Sequence, residues 1–261
     1  MTVELMTFNI RYDNADDGLD SWQHRKDDVC IFLLSQKSDF IGMQEALYDQ
    51  VLDINNSLAP VAYKWFGVGR DDGKLAGEFN PIFYNSSKFS LLGHGVFWLS
   101  LTPEVPGSIY PGAGCRRTCQ YGHFQEVLKP ENKFWHFNTH LDNASLEARE
   151  YSAHLLSTKI KEIVDIEKDV YFLTGDFNSE KTEQTYKIVI ESGLIDSEDV
   201  AAQKKPSSTF TGFDNSARSV IDFIFVRNYK SVDLYQVNEQ TRPNGRNLSD
   251  HRAVQCFINL F

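Results

Sequence analysis

Apolar runs rich in β-branched and aromatic residues, bounded by polar turns, recur along this chain and read as strands, and the apolar spacing becomes helical in only a few places. Val3 to Tyr12 reads as a strand rich in β-branched and aromatic residues, followed by the acidic, turn-prone stretch Asp13 to Asp20. Arg25 to Gln36 carries helical spacing through Val29, Phe32 and Leu33, and Asp39 to Gln44 is a short strand that delivers Glu45 at its C-terminal end. From Tyr63 to Leu101 the pattern predicts strands over Trp65 to Arg70, Glu78 to Tyr84 and Phe89 to Trp98, with Gly and Asn-Ser turns between them. Thr118 to Lys129 and Lys133 to His140 form a hairpin across Pro130-Glu131-Asn132. A long helix runs from Ser145 to about Glu167 with Leu156, Ile160 and Ile163 on one face. The apolar strand Val170 to Thr174 leads straight into Gly175-Asp176-Phe177-Asn178, and a second helix spans about Glu183 to Ser192. Val220 to Val226 is another buried strand, and Asp250 opens a last one that ends in the apolar run Ala253 to Phe261.

No repeat, low-complexity tract or boundary divides the chain, so residues 1–261 read as a single domain. Strands outnumber helices, and hairpin spacing mixes with helical crossovers. The expectation is an α+β domain built on sheets with helices outside. In such a layered domain the strand ends at Asn9, Glu45, His140 and Asp176 can meet the strand starts at Asp222 and Asp250 on one edge. The Pro- and Gly-rich loop Thr102 to Gly114 is too short for a linker and is expected to rim a pocket.

Composition narrows the function classes. With 41% hydrophobic and 13% aromatic residues the chain can fill a substantial core, which argues against disorder. A formal charge of −10 and a pI near 5.2 argue against a protein that coats polyanions. The charge is uneven, however. Residues 203–252 hold eight Lys and Arg against five acids, or +3, so the remainder totals −13 and a basic rim around an anionic substrate is allowed. Cys30, Cys115, Cys119 and Cys256 lack zinc-site spacing, and Cys30 and Cys256 sit in apolar runs, which fits a reducing compartment. No signal or transit peptide is visible, and no segment approaches the roughly 20 apolar residues of a membrane span. The expected location is cytoplasmic, and no obligate protein partner is visible.

Six polar motifs fall at strand ends: Asn9, Gln44-Glu45, Asn138-Thr139-His140, Gly175-Asp176-Phe177-Asn178, Ile221-Asp222 and Ser249-Asp250-His251. Four carboxylates gathered on one edge repel one another unless a cation or protons compensate. Oxygen ligands without thiolate suit a hard ion, Mg²⁺ or Mn²⁺, which also leaves coordination positions for a substrate phosphate.

The order and wording of these motifs resemble the endonuclease/exonuclease/phosphatase superfamily, the DNase I-like metal-dependent phosphoesterases, over Asn9 to His251. Asn138-Thr139-His140-Leu141 and Gly175-Asp176-Phe177-Asn178-Ser179 look closest to the branch of carbon-catabolite-repression deadenylases and nocturnin. The resemblance implies a four-layer α/β/β/α sandwich of two mixed β-sheets. It implies Glu45 as the main metal ligand, with Asn9 in the same shell and Asp250 binding directly or through water. Asp176 would orient and help deprotonate the attacking water, and Asn178 would hold a phosphate oxygen or the nucleophile. His251 would stabilise charge on the phosphoryl oxygens, with Asp222 fixing its tautomer, and His140 would be a second phosphate-side imidazole.

Arg11, Arg117 and Arg149 are further candidates to clamp phosphate, and Asn80 and Tyr84 to line the pocket. Trp22, Trp98 and Tyr110 are candidates to stack on a sugar or base. Where the family's abasic-site nucleases carry an acid two residues after the first Asn, this chain has Arg11, which weakens a second metal site and a DNA-repair role. The leading expectation is hydrolysis of a small phosphate ester, monoester or diester. The alternatives are a nuclease acting on short single-stranded RNA or DNA, and a catalytically silent module that binds an anion or a protein.

Overall fold

A computed structural model describes residues 1–261. In chain order the elements are β1 (Thr2–Asn9), α1 (Trp22–Gln36), β2 (Phe40–Gln44), α2 (Tyr48–Leu58), β3 (Tyr63–Phe66), β4 (Ile82–Asn85), β5 (Phe89–Trp98), β6 (Thr118–Glu126), β7 (Lys133–His140) and α3 (Leu146–Ile163). They continue with β8 (Val170–Asp176), α4 (Gln184–Glu191), β9 (Ile195–Asp196), α5 (Ser197–Val200), β10 (Gln203–Lys205), β11 (Asp222–Arg227), β12 (Ser231–Val237) and β13 (Val254–Asn259). One sheet has seven strands in the order β10-β12-β13-β1-β2-β4-β3, and the other has six in the order β5-β6-β7-β8-β11-β9. Both are mixed, because β1 and β2 are parallel across the α1 crossover and β7 and β8 are parallel across α3.

Successive residues of each strand face opposite sides of its sheet, which sorts the side chains into three cores. Val3, Leu5, Phe40, Phe134, Phe172, Ile224 and Cys256 fill the space between the sheets. The alternate positions Met6, Phe8, Ile41 and Met43 pack with Phe32, Leu33, Val51 and Ile54 of α1 and α2. Phe137, Leu173, Phe223 and Phe225 pack with Leu156, Ile160, Ile188 and Val189 of α3 and α4. Three cores between helices, sheet, sheet and helices make the four-layer α/β/β/α sandwich of the DNase I-like fold.

Each site-bearing strand changes chemistry along its inward face. The inner positions run Val3, Leu5, Thr7, Asn9 on β1; Phe134, His136, Asn138, His140 on β7; and Val170, Phe172, Thr174, Asp176 on β8. The gap between the sheets is therefore oily at one end and polar at the other. At the transition, the Gln44 amide donates to Thr7 Oγ1 (3.0 Å) and to Asn138 Oδ1 (2.8 Å), and Asn138 donates to the Met43 carbonyl (2.8 Å), tying one sheet to the other. The sheets approach so closely there that a Cβ on Gly42 would lie 2.5 Å from Asn138 Oδ1.

Several elements differ from the sequence reading. The helix α2 and the strand β12 were not expected, although Val51, Ile54 and Leu58 bury one helical face. β3 and β4 are shorter than expected, because residues 67–81 form a turn-rich excursion that closes on Phe79 through isolated bridges to Ala46 and Gly69 and ends at Pro81. β13 begins at Val254 and not at Asp250: His251 leaves the sheet to bridge Phe210, so the acid and imidazole lie in the loop before the strand. No helix is long and apolar enough to cross a membrane.

Candidate active site

Register brings the first three site residues level. In the second sheet His140 is the parallel partner of Asp176, and Asp176 is the antiparallel partner of Asp222, so three neighbouring strands end on ionisable side chains at one height. In the first sheet Asn9 is paired with Gln44, which places Glu45 immediately beyond the strand end. Arg11, Glu45 and Asn178 all have left-handed backbones, with φ of 59°, 61° and 46°. Side chains other than glycine are uncommon in that region and concentrate at functional sites.

Asn9 is the hub. Its Nδ2 donates to Asp176 Oδ2 (2.9 Å) and Glu45 Oε1 (3.1 Å) and lies 3.4 Å from His251 Nε2, while its Oδ1 accepts from the Arg11 N–H (2.9 Å). The amide thus meets the acids through its nitrogen, with its oxygen engaged by backbone. Ser249 Oγ donates to the Asn9 carbonyl (2.8 Å) and lies 3.1 Å from Asp250 Oδ1, binding the loop before β13 to the end of β1.

His251 Nδ1 is 2.9 Å from Asp222 Oδ2, and its Nε2 is 3.6 Å from Asp176 Oδ2. Burial disfavours its imidazolium, but the carboxylates of Asp222 and Asp176 outweigh that and hold its pKa well above the usual histidine range. His140 behaves oppositely: burial, reinforced by Arg117 and Arg70, drives its pKa well below the usual value, and its Nε2 faces Asn178 Nδ2 at 3.0 Å. Two imidazoles in one site therefore carry different charges. Burial beside Asp222 pushes the Asp176 carboxyl up to about 7, and burial also raises Asp250.

Arg11, Glu45, Arg117, His140, Asn143, Asp176, Asn178, Phe210, Ile221, Asp250 and His251 line one cleft of about 200 Å³. All the catalytic and metal candidates thus converge, Asn9 and Asp222 from just behind the lining. Arg11 and Arg117 are at the cleft, Arg11 Nε lying 3.1 Å from Asp17 and 4.0 Å from Asp250. Asn80 and Arg149 are not among the lining residues. The Asn80 amide is spent on Thr118, and Arg149 donates to the Asp142 carbonyl and pairs with Glu183, so hydrogen bonding within the fold turns both away. Trp22, Tyr84 and Trp98 are core, and Tyr110 stacks on Tyr151 at 4.5 Å. That stack and the Lys159–Glu104 pair draw the loop 102–114 against α3, and none of its residues lines the cleft.

Sequence reading missed three contributors. Phe210 forms a wall of the cleft, its ring 4.9 Å from that of His251. Asn143, exposed, accepts from Arg117 Nη2 at 3.2 Å. Arg25, fully buried, donates to the carbonyls of Ile10, Leu248, Asp20 and Arg11 and so fastens the two backbone segments that carry Asn9 and Ser249-Asp250-His251. The only local signal was an arginine on the apolar face of a helix.

The carboxylate cluster fits a divalent cation. Ligand atoms of Glu45, His140 and Asp176 all lie within 4.8 Å of one another, and so do those of Asp176, Asp222 and His251. Oxygen dominates both groups, and Arg11 is the cationic side chain beside Asp250, at 4.0 Å.

The family model for the endonuclease/exonuclease/phosphatase family matches residues 6–251. The chain belongs to the endonuclease/exonuclease/phosphatase family. Members of this family are hydrolases of phosphoester bonds that depend on a divalent metal, and this chain is a phosphoesterase of that family. Among solved structures it is similar to an endonuclease/exonuclease/phosphatase from Bacteroides vulgatus, with 36% identity, a TM-score of 0.93 and 100% of each chain covered. It is also similar to a Bacteroides thetaiotaomicron mannosyl-6-phosphatase, at 34% identity and a TM-score of 0.90 over 98% of this chain and 99% of that one. The human Nocturnin catalytic domain shares the fold at 18% identity, with a TM-score of 0.75 over 100% and 94% of the two chains. A search of curated protein sequences finds no match.

Proposed function

We propose that this family member, acting as one domain over residues 1–261, removes phosphate from a small phosphorylated substrate such as a phosphosugar, with Mg²⁺ or Mn²⁺ as cofactor. The observation that carries the reading is the meeting of His251, paired with Asp222 at 2.9 Å and 3.6 Å from Asp176, with Glu45 and Asp250 in a cleft of about 200 Å³. A cleft of that size suits a small ester. The similarity to a mannosyl-6-phosphatase supports the same substrate class.

Glu45 and Asp250 would hold the metal with Asp176 beside them, and Asn9 would fix the orientation of Glu45. When bound, the ion supplies Lewis-acid stabilisation to the phosphoryl oxygens. Asp176, whose Oδ2 accepts from the Asn9 amide at 2.9 Å, orients the attacking water and accepts its proton. His251, kept protonated by Asp222, offers its Nε2–H to the phosphoryl oxygen on which charge grows. Neutral His140 accepts from Asn178, which leaves the second Asn178 N–H for the Leu141 carbonyl and fixes that amide at the cleft. Water attacks in line with the leaving alkoxide.

A panel of phosphosugars, nucleotides, aryl esters and single-stranded oligonucleotides, titrated with Mg²⁺ and Mn²⁺ on the wild type and Asp176→Ala, tests this. Metal-dependent release of phosphate from a sugar phosphate, lost in the variant, is the expected result. Preferred cleavage of oligonucleotides, with affinity falling steeply as salt rises, would replace the reading with a nuclease. No turnover of any ester and no metal binding would leave a silent module.

A further inference from the structure

The two flanks of the cleft differ in charge. On one stand Glu45, Asp176 and Asp250, which call for a cation. On the other stands Arg117, only 6% exposed, which lines the cleft with His140.

Two carboxylates lie within ion-pair distance of Arg117, but its N–H groups are poorly used. Glu78 lies between two arginines, but its Oε2 is 2.6 Å from Arg70 Nη1 and 3.9 Å from Arg117 Nη1. Asp142 Oδ2 is 3.9 Å from Arg117 Nε, yet that oxygen already accepts from the Cys115 N–H at 3.0 Å, and Oδ1 accepts from Ala144 and Ser145. Both carboxylates offset the charge of Arg117, and neither accepts a hydrogen bond from it. The single hydrogen bond of the guanidinium is Nη2 to Asn143 Oδ1, and neither Nε nor Nη1 has a partner. Buried donors without acceptors are costly, and an anionic oxygen brought into the cleft would recover that cost.

We infer that Arg117, held at the cleft by Asn143, selects phosphomonoesters over phosphodiesters by receiving the extra charged oxygen of the dianion. The inference rests on the phosphoesterase reading and sharpens it. A monoester presents three non-bridging oxygens, enough to satisfy the metal flank, the His251 side and Arg117 together. A diester turns one of those oxygens into a neutral ester oxygen bearing carbon. That arm would meet a buried guanidinium already short of acceptors, at the desolvation cost that makes such sites reject a missing charge.

The test compares 4-nitrophenyl phosphate with bis(4-nitrophenyl) phosphate, and inorganic phosphate with dimethyl phosphate as inhibitors, in the wild type, Arg117→Gln, Arg117→Lys and Asn143→Asp. Expected is a wild-type preference for the monoester, with its kcat/KM in Arg117→Gln falling at least thirtyfold more than that of the diester. The inhibition constant of phosphate should rise at least tenfold, with little change for dimethyl phosphate. Arg117→Lys should recover part of both effects. If Arg117→Gln does not fold, Asn143→Asp, at an exposed position, should lower the monoester-to-diester ratio in the same direction. Equal losses on both ester classes, or an unchanged inhibition constant for phosphate, would overturn the inference. If the wild type hydrolyses no ester, the phosphoesterase reading fails first. A phosphate-induced rise in melting temperature that is lost in Arg117→Gln then decides separately whether Arg117 binds the dianion.

Discussion

His251 Nδ1 lies 2.9 Å from Asp222 Oδ2 although the two residues are 29 positions apart, and neither side chain is more than 5% exposed. A buried imidazole paired with one acid and facing another at 3.6 Å has its protonation and its orientation decided together. Asp222→Asn keeps the shape and removes the charge that holds His251 protonated. It should lower kcat by about 10²–10⁴-fold with a much smaller change in KM. Steady-state kinetics check this, and an unchanged kcat would remove His251 from the chemistry.

Glu45 sits on a left-handed backbone at the end of β2, where its Oε1 and Oε2 receive the Asn9 amide and the Tyr12 N–H at 3.1 and 3.3 Å. Divalent metal should raise the melting temperature of the wild type, since a ligand at 100 times its Kd stabilises by about 2.7 kcal/mol. Glu45→Gln should abolish most of that rise while leaving the metal-free melting temperature close to wild type. Thermal scans with and without Mn²⁺ separate the outcomes; a full metal-induced rise in the variant would place the ion elsewhere.

Gly42 holds the sheets at contact distance. A methyl there would lie 2.5 Å from Asn138 Oδ1 and 2.6 Å from Thr174 Oγ1. Gly42→Ala should cost about 1–3 kcal/mol, as overpacking does, and disturb the Gln44–Asn138 bond between the sheets. Urea unfolding measures the cost, and a neutral result would show that the two sheets can separate there freely.

His136 lies in the gap between the sheets, fully buried, with Nε2 2.9 Å from Thr174 Oγ1 and with Nδ1 unpartnered. Burial pushes its pKa down to about 3 from an ordinary value of 6.5. The folded protein keeps this ring neutral while the unfolded chain protonates it. Its contribution is therefore fully present above about pH 6.5 and is lost as the pH falls toward 3, by up to about 1.4 kcal/mol per pH unit. His136→Gln should flatten the fall in unfolding free energy between pH 6.5 and 4.5. Denaturant curves at those two values read it directly, and identical slopes in both proteins would sink the assignment.

Arg25 donates to four backbone carbonyls and has no exposed surface. Arg25→Met should destabilise by more than about 3 kcal/mol, because hydrogen bonds to charged groups contribute about 1.5–3 kcal/mol each and the carbonyls are left buried. Equilibrium unfolding tests this, and a loss below about 1 kcal/mol would mean that water replaces the guanidinium.

The sequence alone determined a good deal. Runs rich in β-branched and aromatic residues mark β1, β7, β8 and β11 as strands, and six short polar motifs in family order anticipate the sandwich and place most of the polar residues of its cleft at strand ends. Local patterning carries that information because composition and turn residues mark where a strand ends, and each motif stands at such an end. Only the tertiary structure decided the rest. Which strand lies beside which, and in what register, sets Asp222 opposite Asp176 and His140 beside it, and no local pattern encodes a pairing across 46 or 36 positions. The same holds for Arg25, Asn143 and Phe210, whose roles come from what the fold brings to them. It also explains why Asn80 and Arg149, chemically suited to a phosphate, are spent on backbone carbonyls instead. A side chain's chemistry is written in the sequence, but its partners are chosen by packing.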